Sequence, residues 1–259
     1  MSKQPWALVL GASSGFGEAT ALELARAGMH IFGVHLDGRN RADHVADLQD
    51  RIRQLGREVE FFNCNAADDE RRNDCIARMS ARLHEPEGTL RVILHSLPMG
   101  TLLALAGAQQ VANRYQIELT IDVMGHSLVY WVQACLREGM LDKGARIFAM
   151  TRDARVMPQF GPISAAKAVL ESHIRQLAVE LAPAGITANA ILPGVADTPA
   201  LRQIPGFEKI AEAAKLRNPH RRLTQPEDVA RCIAALCHPA TYWLTGNVLH
   251  VDGGENIVA

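Results

Sequence analysis

Two short stretches of the 259-residue chain carry residue types that cofactor chemistry requires. The first is the glycine turn Gly11-Ala-Ser-Ser-Gly15-Phe-Gly17, which follows an apolar run and opens a helical pattern. Glycines at such a turn permit the tight bend, let a pyrophosphate approach the backbone and leave the helix N-terminus facing the phosphate charge. Ser13 and Ser14 add hydroxyl groups that either bind ribose or phosphate or cap the turn. The spacing is GxxxGxG rather than GxGxxG, but its place between a strand and a helix favours a dinucleotide site.

The second stretch, residues 160–167, holds one ionisable side chain among apolar and small residues. The charge of Lys167 would lower the pKa of a nearby acid, yet neither Phe160 nor Ile163 can donate a proton. Thr151 offers a hydroxyl a few residues earlier, and an ordinary strand-end threonine is an equally good interpretation. The three tyrosines, Tyr115, Tyr130 and Tyr242, are distant from this stretch in the sequence. Tyr130 is expected to pack in a long central helix.

The elements that must position these stretches alternate along the chain. The predicted strands are residues 6–10, 30–35, 59–64, 92–95, 145–150, 187–192 and 248–251. The predicted helices are residues 17–27, 41–55, 69–83, 117–136, 164–181 and 226–237. This alternation predicts an α/β fold, a single doubly wound, Rossmann-like domain of about seven mostly parallel strands with helices on both faces.

No repeat, charge block or linker divides the sequence, so residues 1–259 are predicted to form one domain. The least regular stretch is 198–224, which contains Pro199, Pro205, Gly206 and Pro219. A connection of that length in a compact domain is often a mobile lid or a substrate loop. We therefore expect residues 198–219 to close over a substrate.

Composition excludes several classes of protein. The chain is 48% hydrophobic and 21% charged, with a formal net charge of -1, which gives no electrostatic reason to bind nucleic acid or a membrane surface. No apolar run approaches the roughly 18 residues that span a bilayer. The first residues lack the apolar core of a secretory signal. Five cysteines show no CxxC pattern, and the ten histidines no HExxH pattern, so we expect a cytoplasmic protein with reduced core thiols and no metal.

Four further motifs follow the glycine turn in a characteristic order. They are Cys64-Asn65-Ala66-Ala67-Asp68, Asn189-Ala-Ile-Leu-Pro193-Gly194 with Thr198, Pro226-Glu-Asp-Val229, and Thr245-Gly246 to Val251-Asp252-Gly253-Gly254. Together they resemble the short-chain dehydrogenase/reductase family over nearly the full length, although Leu10 replaces the threonine usual before the first glycine. The resemblance implies NADPH or NADH as cofactor, held by Gly11, Ser13, Ser14, Gly15, Phe16, Gly17, His35, Arg39, Asn65, Ala66, Ser96, Lys167, Pro193, Gly194, Val195 and Thr198.

Within that set, the resemblance assigns Asn65 to the adenosine side, Lys167 to the nicotinamide ribose, and Val195 and Thr198 to the carboxamide. The choice between NAD and NADP is expected at the end of the second strand, where an acidic residue binds a ribose 2′-hydroxyl and an arginine accommodates a 2′-phosphate. There His35 stands near the position of the NAD-selecting aspartate, and Asp37, Arg39 and Arg41 follow. The arginines favour NADPH slightly, and a plain solvated loop is the alternative.

The catalytic segment departs from the family. In the wider family the catalytic tyrosine stands four residues before the lysine, a position that Ile163 occupies here. In the enoyl-acyl-carrier-protein reductase branch it stands seven residues before the lysine, a position that Phe160 occupies here. The helper serine would fall near Met150, with Thr151 as the neighbouring hydroxyl, and Asp122 replaces an asparagine. Several segments resemble the enoyl reductase branch: Leu94-His95-Ser96-Leu97, Asp122, Val156-Met-Pro-Gln-Phe160 and Pro219-His-Arg221-Arg222. His95 titrates near neutrality and is a candidate proton donor, but the resemblance places it beside the cofactor.

Reducing a ketone creates a localised alkoxide, and removing its general acid costs about 10²–10⁴-fold in rate. Hydride addition to an enoyl thioester gives a delocalised enolate, which the ribose hydroxyl and the Lys167 charge could stabilise until water protonates it. The first hypothesis is therefore an NAD(P)H-dependent reductase of an enoyl thioester, similar to the enoyl-acyl-carrier-protein reductases. The alternatives are an impaired member that binds NAD(P) as a sensor or structural partner, and a ketoreductase with a relocated acid. The resemblance further implies a homotetramer or dimer packed through the central and lysine-bearing helices.

Overall fold

The computed structural model of the protein describes residues 3–84, 87–152 and 156–258. Within them, seven strands form one sheet in the order β3-β2-β1-β4-β5-β6-β7, and neighbouring strands pair in parallel. The strands are β1 (Gln4–Leu10), β2 (His30–His35), β3 (Val59–Asn63), β4 (Gly88–His95), β5 (Leu141–Met150), β6 (Thr187–Pro193) and β7 (Val248–Val251). The predicted doubly wound α/β sheet is confirmed.

Helices cover both faces of this sheet. They are α1 (Gly15–Arg26), α2 (Ala42–Gln54), α3 (Asp69–His84), α4 (Arg114–Ile121), α5 (Ser127–Arg137), α6 (Gly161–Glu180), α7 (Pro199–Arg202), α8 (Phe207–Arg217) and α9 (Pro226–Leu236). One core cluster packs α3, α5 and α6 on one face, and a second packs α1, α2 and α9 on the other. Because both faces are covered, the central strands are almost continuously apolar, as β1 illustrates from Trp6 to Leu10.

The central helix is not the single regular helix that the sequence predicts over 117–136. A π-helical turn, Asp122–His126, separates α4 from α5. The backbone comes close to α6 there, since a Cβ atom on Gly125 would lie 3.1 Å from the Ala166 carbonyl oxygen. A π-turn inside a helix often marks a functional site, and this one begins at Asp122, where the family has asparagine.

Residues 198–224, predicted as a substrate loop, contain two helices that the sequence analysis did not predict, α7 and α8. Pro199 occupies the first turn of α7, where its missing N–H costs nothing. Thr198 caps the same helix, its Oγ1 accepting a 3.3 Å hydrogen bond from the Leu201 N–H. Pro205 falls between the two helices and Pro219 after α8, so none of the three prolines interrupts a helix.

Two strands extend four residues beyond the prediction at their amino ends. β4 begins at Gly88 rather than residue 92, and β5 at Leu141 rather than residue 145. The added residues are Gly-Thr-Leu-Arg in β4 and Leu-Asp-Lys-Gly in β5. β4 also shifts its register there, between Leu90 and Val92. None of the helices in the described residues combines the length and hydropathy needed to span a bilayer.

Candidate active site

The glycine turn lies where the strand order reverses, between β1 and β4. Gly11 follows β1 with a φ of +90°, and a Cβ atom there would lie 2.1 Å from the Ser96 carbonyl oxygen, directly after β4. The Ser96 N–H donates a 2.8 Å hydrogen bond to the Leu10 carbonyl, which fixes this approach. Open α/β sheets bind ligands at the carboxyl ends of strands beside such a switch point.

The turn also leaves the N-terminus of α1 open. A Cβ atom on Gly17 would lie 1.9 Å from the Gly11 carbonyl oxygen, so only glycine lets the helix pack onto the turn. Ser14 is the N-cap residue, but its side chain makes no capping hydrogen bond. Backbone N–H groups at the start of this 12-residue helix are therefore available to an anion. A glycine cradle with an uncapped helix end fits the pyrophosphate of a dinucleotide.

A polar cluster closes the end of β2. The Asp37 carboxylate lies 2.8 Å from His35 Nδ1 and 3.2 Å from Arg41 Nε. Burial raises the pKa of Asp37, but hydrogen bonds from Ser13 and His35 outweigh it and hold that pKa below its ordinary value. Arg41 also donates a 3.1 Å hydrogen bond to the Ser13 carbonyl. Asp37 and Arg41 thus bind each other, while Arg39 is exposed at the start of a 3-10 turn.

The adenosine-side segment follows β3. Asn65 Oδ1 accepts a 3.0 Å hydrogen bond from the Ala67 N–H, which shapes a turn before α3. Trp131 on α5 donates a 2.8 Å hydrogen bond from Nε1 to the Ala66 carbonyl. The Cys64 N–H donates to the His35 carbonyl at 2.8 Å, so this segment lies beside the polar cluster.

The segment assigned to the carboxamide follows β6 and is held by residues near the end of the sequence. The Val195 N–H donates a 3.0 Å hydrogen bond to Glu255 Oε2, and Arg217 on α8 donates a 2.9 Å hydrogen bond to Glu255 Oε1. Gly194 has no room for a side chain, since its Cβ would lie 2.3 Å from Thr224 Oγ1. Thr198 reaches the glycine turn, because a Cβ atom on Gly15 would lie 3.3 Å from its methyl carbon.

Lys167 lies on α6 below the end of β5. Its ammonium donates a 2.8 Å hydrogen bond to the Met150 carbonyl, and the side chain is buried. Burial lowers the pKa of Lys167 to about 7, with Glu171 opposing the shift and Arg152 adding to it. The lysine is therefore poised to gain or lose its charge near neutral pH.

Glu171 is a site residue that the sequence reasoning missed. It lies one helical turn beyond Lys167, and its Oε1 accepts a 2.6 Å hydrogen bond from the Thr151 hydroxyl. The available signal was the four-residue spacing between an acid and a base on one predicted helix. The contact engages Thr151, the candidate helper hydroxyl, with a carboxylate.

Both tyrosine positions lie in an apolar cluster. Phe160 and Ile163 are each 7% exposed and pack with Met124 and Ala166, with Ile204 from the predicted substrate segment at the margin. The Arg152 guanidinium carbon lies 4.7 Å from the centre of the Phe160 ring. Its Nη1 donates a 3.0 Å hydrogen bond to the Ser164 hydroxyl. A cation therefore lies over the ring that replaces tyrosine.

His95 does not serve as a proton donor in this geometry. The Ser127 hydroxyl donates to the Val123 carbonyl at 2.7 Å, so it accepts the 2.9 Å hydrogen bond from His95 Nε2. Complete burial, with a further contribution from the Lys167 charge, lowers the pKa of His95 to about 3. The ring is neutral and positions the segment after β4.

The three tyrosines lie elsewhere. Tyr130 is on α5, as predicted, and its hydroxyl donates a 3.0 Å hydrogen bond to Asp122 Oδ1. Tyr115 and Tyr242 are 71% and 61% exposed. Among the contacts described, none joins a tyrosine to Lys167 or Thr151, so none takes the place of the missing acid.

Comparisons with known proteins agree with this geometry. Residues 11–256 match the family model described as Enoyl-(Acyl carrier protein) reductase. The chain is 28% identical over 256 residues to the NADH enoyl-[acyl-carrier-protein] reductase FabI of Escherichia coli, covering 97% of this chain and 94% of that protein. It is 31% identical over 258 residues to cis-4-hydroxycyclohexanecarboxylate dehydrogenase of Sinomonas cyclohexanicum, covering 97% and 96%.

Solved structures share the fold. Bacillus cereus enoyl-acyl carrier protein reductase, solved with NADP+ and an indole naphthyridinone, superposes with a TM-score of 0.87 at 23% identity, covering 99% of this chain and 97% of that one. A short-chain dehydrogenase from Burkholderia cenocepacia, solved with NADP, gives a TM-score of 0.81 at 26% identity, covering 98% of each chain.

Proposed function

The chain belongs to the short-chain dehydrogenase/reductase family, nearest its enoyl-acyl-carrier-protein reductase branch, and from this premise we propose that it reduces an enoyl thioester with NAD(P)H. The observation that carries the proposal is the composition of the catalytic pocket. Two basic side chains, Lys167 and Arg152, flank an apolar surface in which phenylalanine and isoleucine fill the tyrosine positions. Such a pocket stabilises negative charge but offers no tyrosine acid.

The cofactor assignments extend the same proposal. The turn from Gly11 to Gly17 would hold the pyrophosphate, Asn65 and Ala66 would contact the adenosine, and Lys167 would bind the nicotinamide ribose. Ser96 would border the cofactor, and the segment Pro193, Gly194, Val195 and Thr198 would hold the carboxamide. The bound dinucleotide supplies the hydride. Arg39, rather than the paired Arg41, accommodates a 2′-phosphate, which favours NADPH.

The proposed chemistry suits a pocket without a tyrosine. When the β-carbon of an enoyl thioester accepts a hydride, negative charge spreads onto the thioester oxygen. The Arg152 guanidinium and the Lys167 ammonium stabilise that charge, and a water molecule then protonates the α-carbon. Fixed positive groups in a water-poor site stabilise a developing oxyanion more strongly than solvent does. The apolar cluster around Phe160 receives the acyl chain, carried by coenzyme A or a carrier protein in the cytoplasm.

The substrate segment is proposed to move only in part. Residues 198–206 carry the short helix α7 and few buried side chains. The far end of α8 is tied down by the Arg217 ion pair with Glu255 and by a 2.9 Å hydrogen bond from Asn218 to the Asp252 carbonyl. We therefore expect residues 198–206 to close over the acyl group, and 207–224 to stay in place.

The proposed assembly is a homotetramer or dimer through the central helix and α6. His126 and His173 face each other across these elements, with Nδ1 and Nε2 2.9 Å apart. Both rings are half-buried in the isolated chain. Light scattering on the purified protein tests this assembly, and a monomeric mass would contradict it.

A second candidate is a member that binds the dinucleotide without catalysing a reaction, as a sensor or structural partner. The contact between Thr151 and Glu171 favours it, because it engages the nearest hydroxyl while both tyrosine positions are apolar. This candidate keeps the glycine cradle and Lys167 but predicts no turnover with any thioester.

The deciding experiment follows NADPH and NADH oxidation with a short enoyl thioester, for the native protein beside Phe160→Tyr and Phe160→Leu. Turnover by the native protein and by Phe160→Leu supports a reductase that needs no tyrosine acid. Activity in Phe160→Tyr alone supports the binding-only candidate, since the site then lacks just its acid. If the native protein and both variants bind the dinucleotide but do not oxidise it, enoyl thioesters are excluded as substrates.

A further inference from the structure

Two cysteine side chains meet beside the candidate adenosine pocket. Cys64 begins the segment after β3, and Cys75 lies on the buried side of α3. Their sulfur atoms are 3.7 Å apart. Both are free thiols, and each belongs to the core cluster that also holds Cys135. Nothing in the proposed hydride transfer uses either of them.

The two thiols differ in their chemical character. The hydrogen bond from Cys75 lowers the pKa of Cys64, and the same contact raises the pKa of Cys75 above its ordinary value. A thiolate is the form that attacks peroxides. Cys64 is also 8% exposed at the carboxyl edge of the sheet, next to Asn65, whereas Cys75 is 4% exposed. Cys64 is therefore the more accessible of the two thiols, and the Cys75 sulfur lies 3.7 Å from it.

We propose that Cys64 and Cys75 form a reversible disulfide under peroxide, and that this modification weakens dinucleotide binding. In the first step the Cys64 thiolate attacks hydrogen peroxide, giving a sulfenic acid and hydroxide, which takes up a proton to become water. In the second step the Cys75 thiol attacks the sulfenic sulfur, forming the S–S bond and releasing a second water molecule. Overall, two thiols lose two electrons and two protons to one peroxide.

We expect bond formation to move the adenosine-side segment, residues 64–68. The sulfur atoms must close from 3.7 Å to about 2.05 Å. Ala66 lies between the two cysteines in the sequence, and its carbonyl accepts the hydrogen bond from the Trp131 indole. Asn65, one residue from Cys64, bonds to the Ala67 N–H. Drawing α3 toward β3 therefore displaces the residues proposed to contact adenosine and changes the surroundings of the Trp131 indole.

This effect on binding rests on the proposed cofactor site, but disulfide formation does not. The experiment treats the native protein with millimolar hydrogen peroxide and compares it with Cys75→Ser and with Cys135→Ser, a control in the same core cluster. Peptide mass spectrometry identifies the cross-link between residues 64 and 75. Fluorescence titration then measures the dissociation constants for NADPH and NADH before oxidation, after oxidation and after dithiothreitol.

The expected result is a 64–75 cross-link in the native protein and in Cys135→Ser, absent from Cys75→Ser. The dissociation constant should rise about tenfold, the loss of roughly one good contact, and return with dithiothreitol. Cysteines that stay reduced, or that link to other positions, overturn the proposed modification. A cross-link without a change in affinity overturns its effect on the pocket. Failure of the untreated protein to bind either dinucleotide counts against the proposed function instead. The cross-link can still be measured by mass spectrometry in that case.

Discussion

Lys167 shows how one side chain depends on the groups around it. It is buried, and its one hydrogen bond in the described structure runs to the Met150 carbonyl. An ammonium group in such a place loses its hydration, which is why its pKa falls from the ordinary 10.5 to about 7. A buried lysine with a strongly lowered pKa is a candidate for binding or catalysis.

The pH dependence of stability tests this environment. Between pH 7 and 10.5 the unfolded chain holds the Lys167 proton and the folded chain does not, so native stability should rise with pH through that window. At or below pH 7 the full cost of the buried charge is present. Lys167→Met should therefore raise the free energy of unfolding by about 2 kcal/mol at pH 7 and by little at pH 10.5. Chemical denaturation at both pH values measures it, and an equal gain at each would argue against a depressed pKa.

Arg152 supplies the second positive charge in the proposed mechanism. Arg152→Gln removes that charge and should lower kcat with an enoyl thioester by about 10²-fold, the effect of losing one donor to an oxyanion. Arg152→Lys keeps the charge and should retain more of the rate. Steady-state kinetics on both variants separates kcat from KM. A change confined to KM would show that Arg152 binds the ground state only.

Arg39 and Asp37 test the choice of cofactor. Asp37 is bound to His35 and Arg41, whereas Arg39 is exposed at the adjoining turn. Arg39→Ala should weaken NADPH binding about tenfold and leave NADH binding nearly unchanged, because only NADPH carries the 2′-phosphate. Titration calorimetry with both dinucleotides provides the comparison. Equal weakening of the two would place Arg39 away from the 2′ position.

At the scale of secondary structure, periodicity predicted the sheet and its covering helices. It did so because burial determines the spacing of apolar residues along buried strands and amphipathic helices. It failed where a tertiary contact decides the outcome. α8 buries only Ala211 and Ala214, too few apolar residues to give a periodic signal. The π-turn at Asp122 depends on the close packing of Gly125 against α6, which no local pattern records.

The same distinction holds for the candidate site. The glycine turn and Lys167 could be read from residue type and spacing. The hydrogen bond between Thr151 and Glu171 joins residues 20 apart, and the cation over Phe160 comes from a segment before it. The apolar character of both tyrosine positions was evident in the sequence, whereas their packing with Ile204 required the fold.

The cap of α7 links a single hydroxyl to the movement of its segment. Thr198→Val removes the acceptor for the Leu201 N–H and keeps the shape of the side chain. We expect about 1 kcal/mol of lost local stability and faster amide exchange in residues 199–202. The melting temperature should barely change, since α7 contains no buried residue. Hydrogen exchange by mass spectrometry measures the exchange of residues 199–202, and thermal denaturation measures the melting temperature. Unchanged exchange in α7 would show that the cap contributes little.

On the scale of the whole molecule, the site is assembled from distant parts of the chain. The parallel sheet brings the carboxyl ends of β1, β4 and β6 to one edge, and Glu255 then fixes the last of these segments. Its carboxylate is buried and accepts hydrogen bonds from Val195 and Arg217. One side chain therefore joins the carboxamide segment to α8.

Glu255→Ala should expose how much the molecule depends on that carboxylate. It leaves the Val195 N–H and the Arg217 guanidinium without this partner, which should cost about 2–4 kcal/mol of unfolding free energy. Dinucleotide binding should weaken as well, whereas Glu227→Ala on the surface of α9 should leave both unchanged. Thermal denaturation of both variants, with and without NADPH, measures the loss of stability and the loss of dinucleotide binding. If both variants behave alike, Glu255 does not stabilise the site.

Glu255 also has a consequence for synthesis on the ribosome. A chain is made from its N-terminus, so the glycine turn and most of the sheet leave the exit tunnel well before residue 255 does. Until that carboxylate emerges, the Val195 N–H lacks its Glu255 acceptor and the carboxamide segment is not fixed. Tight dinucleotide binding should therefore begin only after residue 255 has left the exit tunnel.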